Sequence, residues 1–190
     1  MSALGVVLAG GRGSRLGGEK AAVELAGRPL LAWAVDALRS VVGDVVVVAK
    51  PGSALPPCDQ EVWREPQADF HPRHGILHAL RRAEGRTLLV VPVDMPLVPP
   101  ELLELLLDAV SAGFPVAIPH TEGRMHPLCG AFAPEAFAPM AAAPADEPLT
   151  RTLDALGAVV VGAAEHATRL VNVNTPDDLA RAERLVAGGG

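Results

Sequence analysis

Apolar runs and helically spaced apolar stripes alternate along the first half of the chain. Leu4–Ala9 is apolar throughout, and Asp44–Ala49 becomes so after its first residue. Runs of this kind predict strands covered on both faces. Between them, Leu30, Leu31, Trp33, Ala34, Ala37, Leu38 and Val41 recur at helical spacing. They predict a helix from Gly27-Arg28-Pro29 to about Val42, with Pro29 near its first turn. Pro51 to His74 is proline-rich and reads as loop, broken by a short run at Glu61–Trp63. Gly75–Ala83 reads as helix and Thr87–Val93 as strand. Pro92 lacks the N–H a central strand needs, so it is expected where pairing ends.

The second half is less regular. Pro99-Pro100-Glu101 begins a helix with a wide Leu face, running to about Ala112 and ended by Gly113. Val116–Pro119 and Leu128–Phe132 read as strands, with a hairpin or loop at Thr121–Met125. Pro134–Met140 and Glu147–Leu156 read as helices. Ala158–Val161 and Leu170–Val173 read as short strands. Thr175, Pro176 and Asp178 have the spacing of a capping box opening a last helix. Alternating strands and helices predict an α/β fold, a three-layer sandwich with a mainly parallel central sheet. Ligands of such sheets sit outside the carboxyl ends of the strands. No linker divides the chain, so residues 1–187 are expected to form a single domain, with 188–190 a flexible tail.

Composition narrows the partners. The 190 residues are 49% hydrophobic and carry a net charge of −6, which argues against nucleic acid as the main partner. Cys58 and Cys129 lack metal spacing and read as buried or free thiols in a reducing compartment. With no basic leader before an apolar segment and no run of membrane length, a cytoplasmic protein without membrane attachment is expected. The chain has 14 Arg but only two Lys, Lys20 and Lys50, and only two Asn, Asn172 and Asn174. In a chain that otherwise uses Arg, Lys20 suggests a site wanting a compact ammonium.

Candidate chemistry centres on Leu8-Ala9-Gly10-Gly11-Arg12-Gly13-Ser14-Arg15-Leu16-Gly17-Gly18-Glu19-Lys20, directly after the first strand. Glycines let backbone N–H groups approach an anion closely, and Arg12, Arg15 and Lys20 add positive charge. This composition points to a polyphosphate ligand. The Walker pattern fails, because Gly18 is followed by Glu19 and Lys20 by Ala21. The dinucleotide pattern fails at Leu16, where its third glycine belongs. Asp94 follows the third strand; a carboxylate there either holds Mg²⁺ against substrate phosphates or caps the next turn. Alternation places Asn172 and Asn174 on one side of the chain. Gly123–Leu128, with Arg124 and His126, reads as a solvated loop. His71, His74 and His78 read as loop histidines rather than as metal ligands.

The Leu8–Lys20 loop resembles the signature of nucleotidyltransferases with the nucleotide-diphospho-sugar transferase fold. Its Gly10-Gly11 form, with Gly17, Gly18 and Lys20 after it, resembles the molybdenum cofactor guanylyltransferase (MobA) family. Asp94-Met95-Pro96 and Asn172-Val173-Asn174-Thr175-Pro176-Asp177-Asp178-Leu179 match further motifs of that family. The resemblance implies a Rossmann-like nucleotidyltransferase fold and Mg²⁺-dependent transfer of GMP from GTP to the phosphate of molybdopterin. It implies nucleotide contacts from Leu8, Ala9, Gly10, Gly11, Gly13, Lys20, Glu65 and Asp94. Arg15, Lys20 and Asp94 take catalytic roles, with Asp94 as metal ligand. Arg124, His126, Asn172 and Asn174 fall near the acceptor, and product handover to molybdoenzymes or insertion factors follows from the same likeness. Three positions depart from the family pattern. Val48-Ala49-Lys50 offers no Asn at the end of the second strand, where the family often has one; Glu65 stands where it often has Asp, and Gly75-Ile76-Leu77 where it often has Gly-Pro-Leu. Alternatives are another transferase of this fold, cytidylyl transfer to molybdopterin or guanylyl transfer to a small phospho-acid, and a non-catalytic nucleotide-binding subunit.

Overall fold

The computed structural model describes residues 3–188 apart from 11, 14, 15, 17, 67–70 and 122. One sheet organises it. Its strands are β1 (Ala3–Leu8), β2 (Asp44–Ala49), β3 (Glu61–Arg64), β4 (Thr87–Pro92), β5 (Val116–Thr121), β6 (Arg124–Met125), β7 (Gly130–Phe132) and β8 (Val159–Gly162). The spatial order is β6-β5-β7-β4-β1-β2-β3, with β8 also on β5. Strands β3, β2, β1 and β4 are mutually parallel, with Val6 opposite both Val46 and Val90. Antiparallel β7 joins β4 to β5.

Alternation along these apolar strands supplies two cores. Val7, Val47, Leu89 and Val91 face one side, against α1 (Leu30–Arg39), α3 (Pro100–Ser111) and α6 (Pro176–Ala187). Val6, Val46, Leu88 and Val90 face the other, against α2 (Pro72–Arg82), α4 (Phe137–Ala142) and α5 (Leu149–Ala155). A period of two on a doubly covered sheet yields this three-layer arrangement.

Several boundaries differ from the sequence reading. Helix α2 begins at Pro72, three residues before Gly75, so His74 and His78 are helical and His71 is its N-cap. The loop reading is therefore corrected for His74, and for His78, which the expected helix already contained, while His71 stays outside the helix; Pro72 at the first helical position, where its missing N–H costs nothing, was the available signal. Helix α1 starts after Pro29, which is its N-cap. Leu170–Val173 is not a strand; it is tied just past the end of β4 by the Val173 N–H, which donates to the Asp94 carbonyl at 2.7 Å. Pro92 is the last residue of β4, paired with Leu8 at the end of β1. Thr121 and Arg124–Met125 form the hairpin end.

Candidate active site

Four neighbouring parallel strands each deliver a residue past their carboxyl ends. Gly10 follows β1, Lys50 follows β2, Glu65 follows β3 and Asp94 follows β4. The backbone ladder continues beyond the strands: Ala9 donates to the Val48 carbonyl at 2.8 Å, Glu65 to Ala49 at 2.9 Å and Val93 to Leu8 at 3.0 Å. These bonds fix the rim. The Leu8 carbonyl is thus already an acceptor within the rim.

Asp94 and Lys20 form the centre of the site. Lys20 opens a short 3₁₀ turn after the glycine loop, and its Nζ donates to Asp94 Oδ2 at 2.8 Å and to Asn174 Oδ1. Both charged side chains are largely shielded, at 14% and 19% exposure. Asn172 Nδ2 donates to Asp94 Oδ1 at 3.5 Å, while Asn172 Oδ1 is buried without a hydrogen-bond partner. Asn172 and Asn174 therefore reach the same carboxylate–ammonium pair, on the side their alternation predicts. The capping box is formed as expected. Asp178 Oδ2 accepts from the Asn174 and Thr175 N–H groups at 3.0 and 2.9 Å, which holds the Asn174 backbone in place.

A second ion pair lines the same pocket. Lys50 Nζ donates to Glu65 Oε2 at 2.7 Å, with both residues buried. A side chain on Gly10 would bring a Cβ to 3.1 Å of Lys50 Cγ and 3.6 Å of Glu65 Oε1. A Cβ on Gly75 would also come to 3.6 Å of Glu65 Oε1. Two glycines thus leave space beside the second carboxylate oxygen. Both lysines of the chain, Lys20 and Lys50, line this one pocket, with Gly10, Glu65, His71 and Asp94. Lys50 is the residue the sequence reading passed over as a departure; the scarcity of Lys was the signal for it. His71 is held by the Arg73 N–H, which donates to its Nδ1 at 3.3 Å; partial burial, then Arg73 and His74, lower its pKa.

Arg124, His126, Asn172 and Asn174 come together in a neighbouring pocket, with Thr121 and Arg181, which sequence reasoning did not single out. Arg124 is exposed, but His126 is buried, so the solvated-loop reading is corrected for it. Its Nε2 lies 3.0 Å from Thr121 Oγ1. Burial, then Arg124 and His120, push its pKa down. Gly11 and Arg15 lie outside the described residues. Gly13 lies in a two-residue strand, Arg12–Gly13, paired with Gly18–Glu19. Cys58 and Cys129 are free; burial pushes the Cys129 thiol up to about 12. Among the described residues, no three His, Cys, Asp or Glu side chains form a metal cluster, and no helix is long and apolar enough to cross a membrane.

A mainly parallel sheet whose carboxyl edge presents an ammonium, a carboxylate and two amides offers, where ligands of such sheets sit, the groups that positioning a phosphorylated ligand calls for. The class is that of the nucleotidyltransferases. Residues 5–170 match the MobA-like NTP transferase domain, and the chain belongs to that family. A molybdenum cofactor guanylyltransferase of Cereibacter sphaeroides is 36% identical, the match covering 98% of each chain. A probable molybdenum cofactor guanylyltransferase of Natronomonas pharaonis is 32% identical over 95% of this chain and 97% of its own. Among solved structures, molybdopterin-guanine dinucleotide biosynthesis protein A from Archaeoglobus fulgidus has a TM-score of 0.79 at 26% identity, covering 97% of this chain and 99% of its own.

Proposed function

We propose that this chain transfers GMP from GTP to the terminal phosphate of molybdopterin, releasing pyrophosphate and forming the guanine dinucleotide cofactor. The observation that carries the reading is the Lys20–Asp94–Asn174 network, which stands between two pockets at the carboxyl edge of the sheet. One pocket takes the nucleotide and the other the acceptor. An acceptor phosphate oxygen attacks the α-phosphorus, and the bond from that phosphorus to the bridging oxygen breaks, with the electron pair leaving on pyrophosphate. A phosphate nucleophile is already ionised, so the site needs alignment and charge stabilisation rather than a strong base.

Lys20 has three donor hydrogens, and Asp94 and Asn174 account for two among the described residues. The third is available to a phosphate oxygen, and the ammonium offsets charge growing on the α-phosphate and leaving group. Arg15 and the Gly10, Gly11 and Gly13 backbone would add to the triphosphate cradle. The donor set fits Mg²⁺, which takes oxygen ligands, keeps several waters and binds through one or two carboxylates plus substrate phosphates. Asp94 supplies the carboxylate, and the unpartnered Asn172 Oδ1 beside it is the oxygen that such a cation would satisfy. Bound there, Mg²⁺ would withdraw charge from the nucleotide oxygens.

Glu65 suits guanine, whose N1 and N2 present adjacent donors to a carboxylate. Lys50 orients it, and Gly10 and Gly75 leave Oε1 room to accept. Molybdoenzymes or their insertion factors would then receive the product. Calorimetry with Mg²⁺ tests the reading. GTP should bind more tightly than CTP or ATP, with the preference weakened in Glu65→Gln and the Mg²⁺ dependence lost in Asp94→Ala. A preference for CTP would overturn the guanine assignment.

A further inference from the structure

The pocket on the far side of the Lys20–Asp94–Asn174 network has a volume of about 440 Å³, the size of a small-molecule site. Three separate parts of the chain build it. Thr121 and His126 come from the β5–β6 hairpin region, Asn172 and Asn174 from the segment tied to Asp94, and Arg181 from the second turn of α6. Arg124 completes the wall. Two guanidinium groups therefore border one pocket. Among the described residues, neither is in a salt bridge with a carboxylate. Asp178 is the acid in the pocket wall, and its Oδ2 is occupied by the Asn174 and Thr175 N–H groups and the Thr175 hydroxyl. Burial raises the pKa of Asp178, hydrogen bonds from Thr175 and Asn174 outweigh it, and Arg181 adds to the lowering without reaching Asp178 as an ion pair. Across the hairpin from Arg124, Thr121 and His126 add a buried hydroxyl and a buried imidazole 3.0 Å apart, groups that offer hydrogen bonds.

We infer that Arg181, facing the pocket with Arg124, binds the phosphate monoester of the acceptor and holds it toward the Lys20–Asp94–Asn174 wall. The inference rests on the nucleotidyl-transfer reading and adds a residue to it. Planar guanidinium groups pair with phosphate through two parallel hydrogen bonds, which fixes orientation as well as position. Thr121 and His126 then meet the hydrogen-bonding ring system of the acceptor. The nucleotide pocket lies on the other side of the wall, so Arg181 has no contact to lose with GTP.

The test measures transfer from GTP to molybdopterin with varied acceptor, alongside GTP affinity by calorimetry. Arg181→Ala should raise the acceptor KM by more than about 10-fold, the scale of a charge-assisted contact, and the loss should fall on KM more than on kcat. Its GTP dissociation constant should stay within about two-fold of wild type. Arg181→Lys should recover part of the KM, keeping the charge but not the fork. An acceptor KM unchanged in Arg181→Ala, while wild type transfers GMP, would overturn the inference and leave the proposed function standing. GTP affinity falling in step with acceptor KM would also overturn it, as the sign of a merely structural residue. No transfer by wild type would overturn the proposed function itself.

Discussion

Asp94 accepts from Lys20 at 2.8 Å, so each residue holds the other while both line the proposed nucleotide pocket. Lys20→Ala would leave Asp94 without its ammonium partner and the leaving group without its counter-charge. Asp94→Ala would release Lys20 and remove the carboxylate oxygen proposed for Mg²⁺. Each substitution should lower turnover by about 10² or more at saturating GTP, the scale of losing one preorganised electrostatic contact. Steady-state pyrophosphate release measures both, and a rate near wild type for either variant would remove that residue from the mechanism. Gly10 makes a different demand. A methyl group there would press on Lys50 Cγ at 3.1 Å and close on Glu65 Oε1. Gly10→Ala should weaken GTP binding by about 10-fold while leaving the thermal midpoint within a few degrees, because the crowding falls on the pocket and not on the core.

Among elements, α6 bears most directly on the site, since its capping box also secures Asn174. Thr175 Oγ1 accepts from the Asp178 N–H at 3.2 Å, and the Asp178 carboxylate returns bonds to Thr175 and Asn174. Thr175→Ala should cost about 1 kcal/mol in a denaturant melt. It should also lower activity beyond what that destabilisation explains, because Asp178, which anchors the Asn174 N–H, loses the Thr175 hydroxyl that holds its carboxylate. The long, periodic elements were legible in the sequence. Asp44–Ala49 has the bounds expected from its apolar run, and the capping box was read from Thr175, Pro176 and Asp178. Leu170–Val173 misled because an apolar run tied to the sheet by a single backbone bond has the same pattern as a paired strand. The start of α2 was obscured by proline and histidine, which dilute the helical apolar pattern. In the site, Gly10, Lys20, Asp94, Asn172 and Asn174 could be found from motif spacing. Lys50 and Arg181 could not be found from spacing: only the scarcity of Lys pointed to Lys50, and nothing local pointed to Arg181, which reaches its pocket through tertiary neighbours.

For the whole molecule, three histidines carry a pH dependence. Burial is the largest cause of the lowered pKa at His71, His78 and His126, with nearby Arg residues adding to it. Each ring has an ordinary value of 6.5 in the unfolded chain, which therefore binds more protons than the folded one just below that pH. Their contribution to stability is complete above 6.5 and is lost as pH falls through the lower folded values. The thermal midpoint should drop between about pH 7.5 and pH 5, before the carboxylates titrate. A midpoint that is flat or rising over that range would contradict the burial of these rings. The central claim concerns what the carboxyl edge of the sheet does, and multiple-turnover pyrophosphate release with Mg²⁺ and molybdopterin tests it most directly. The account predicts release that requires both GTP and the acceptor, is not supported by CTP, and collapses in Asp94→Ala. Release supported by CTP but not GTP, or no release with any nucleotide, would contradict it.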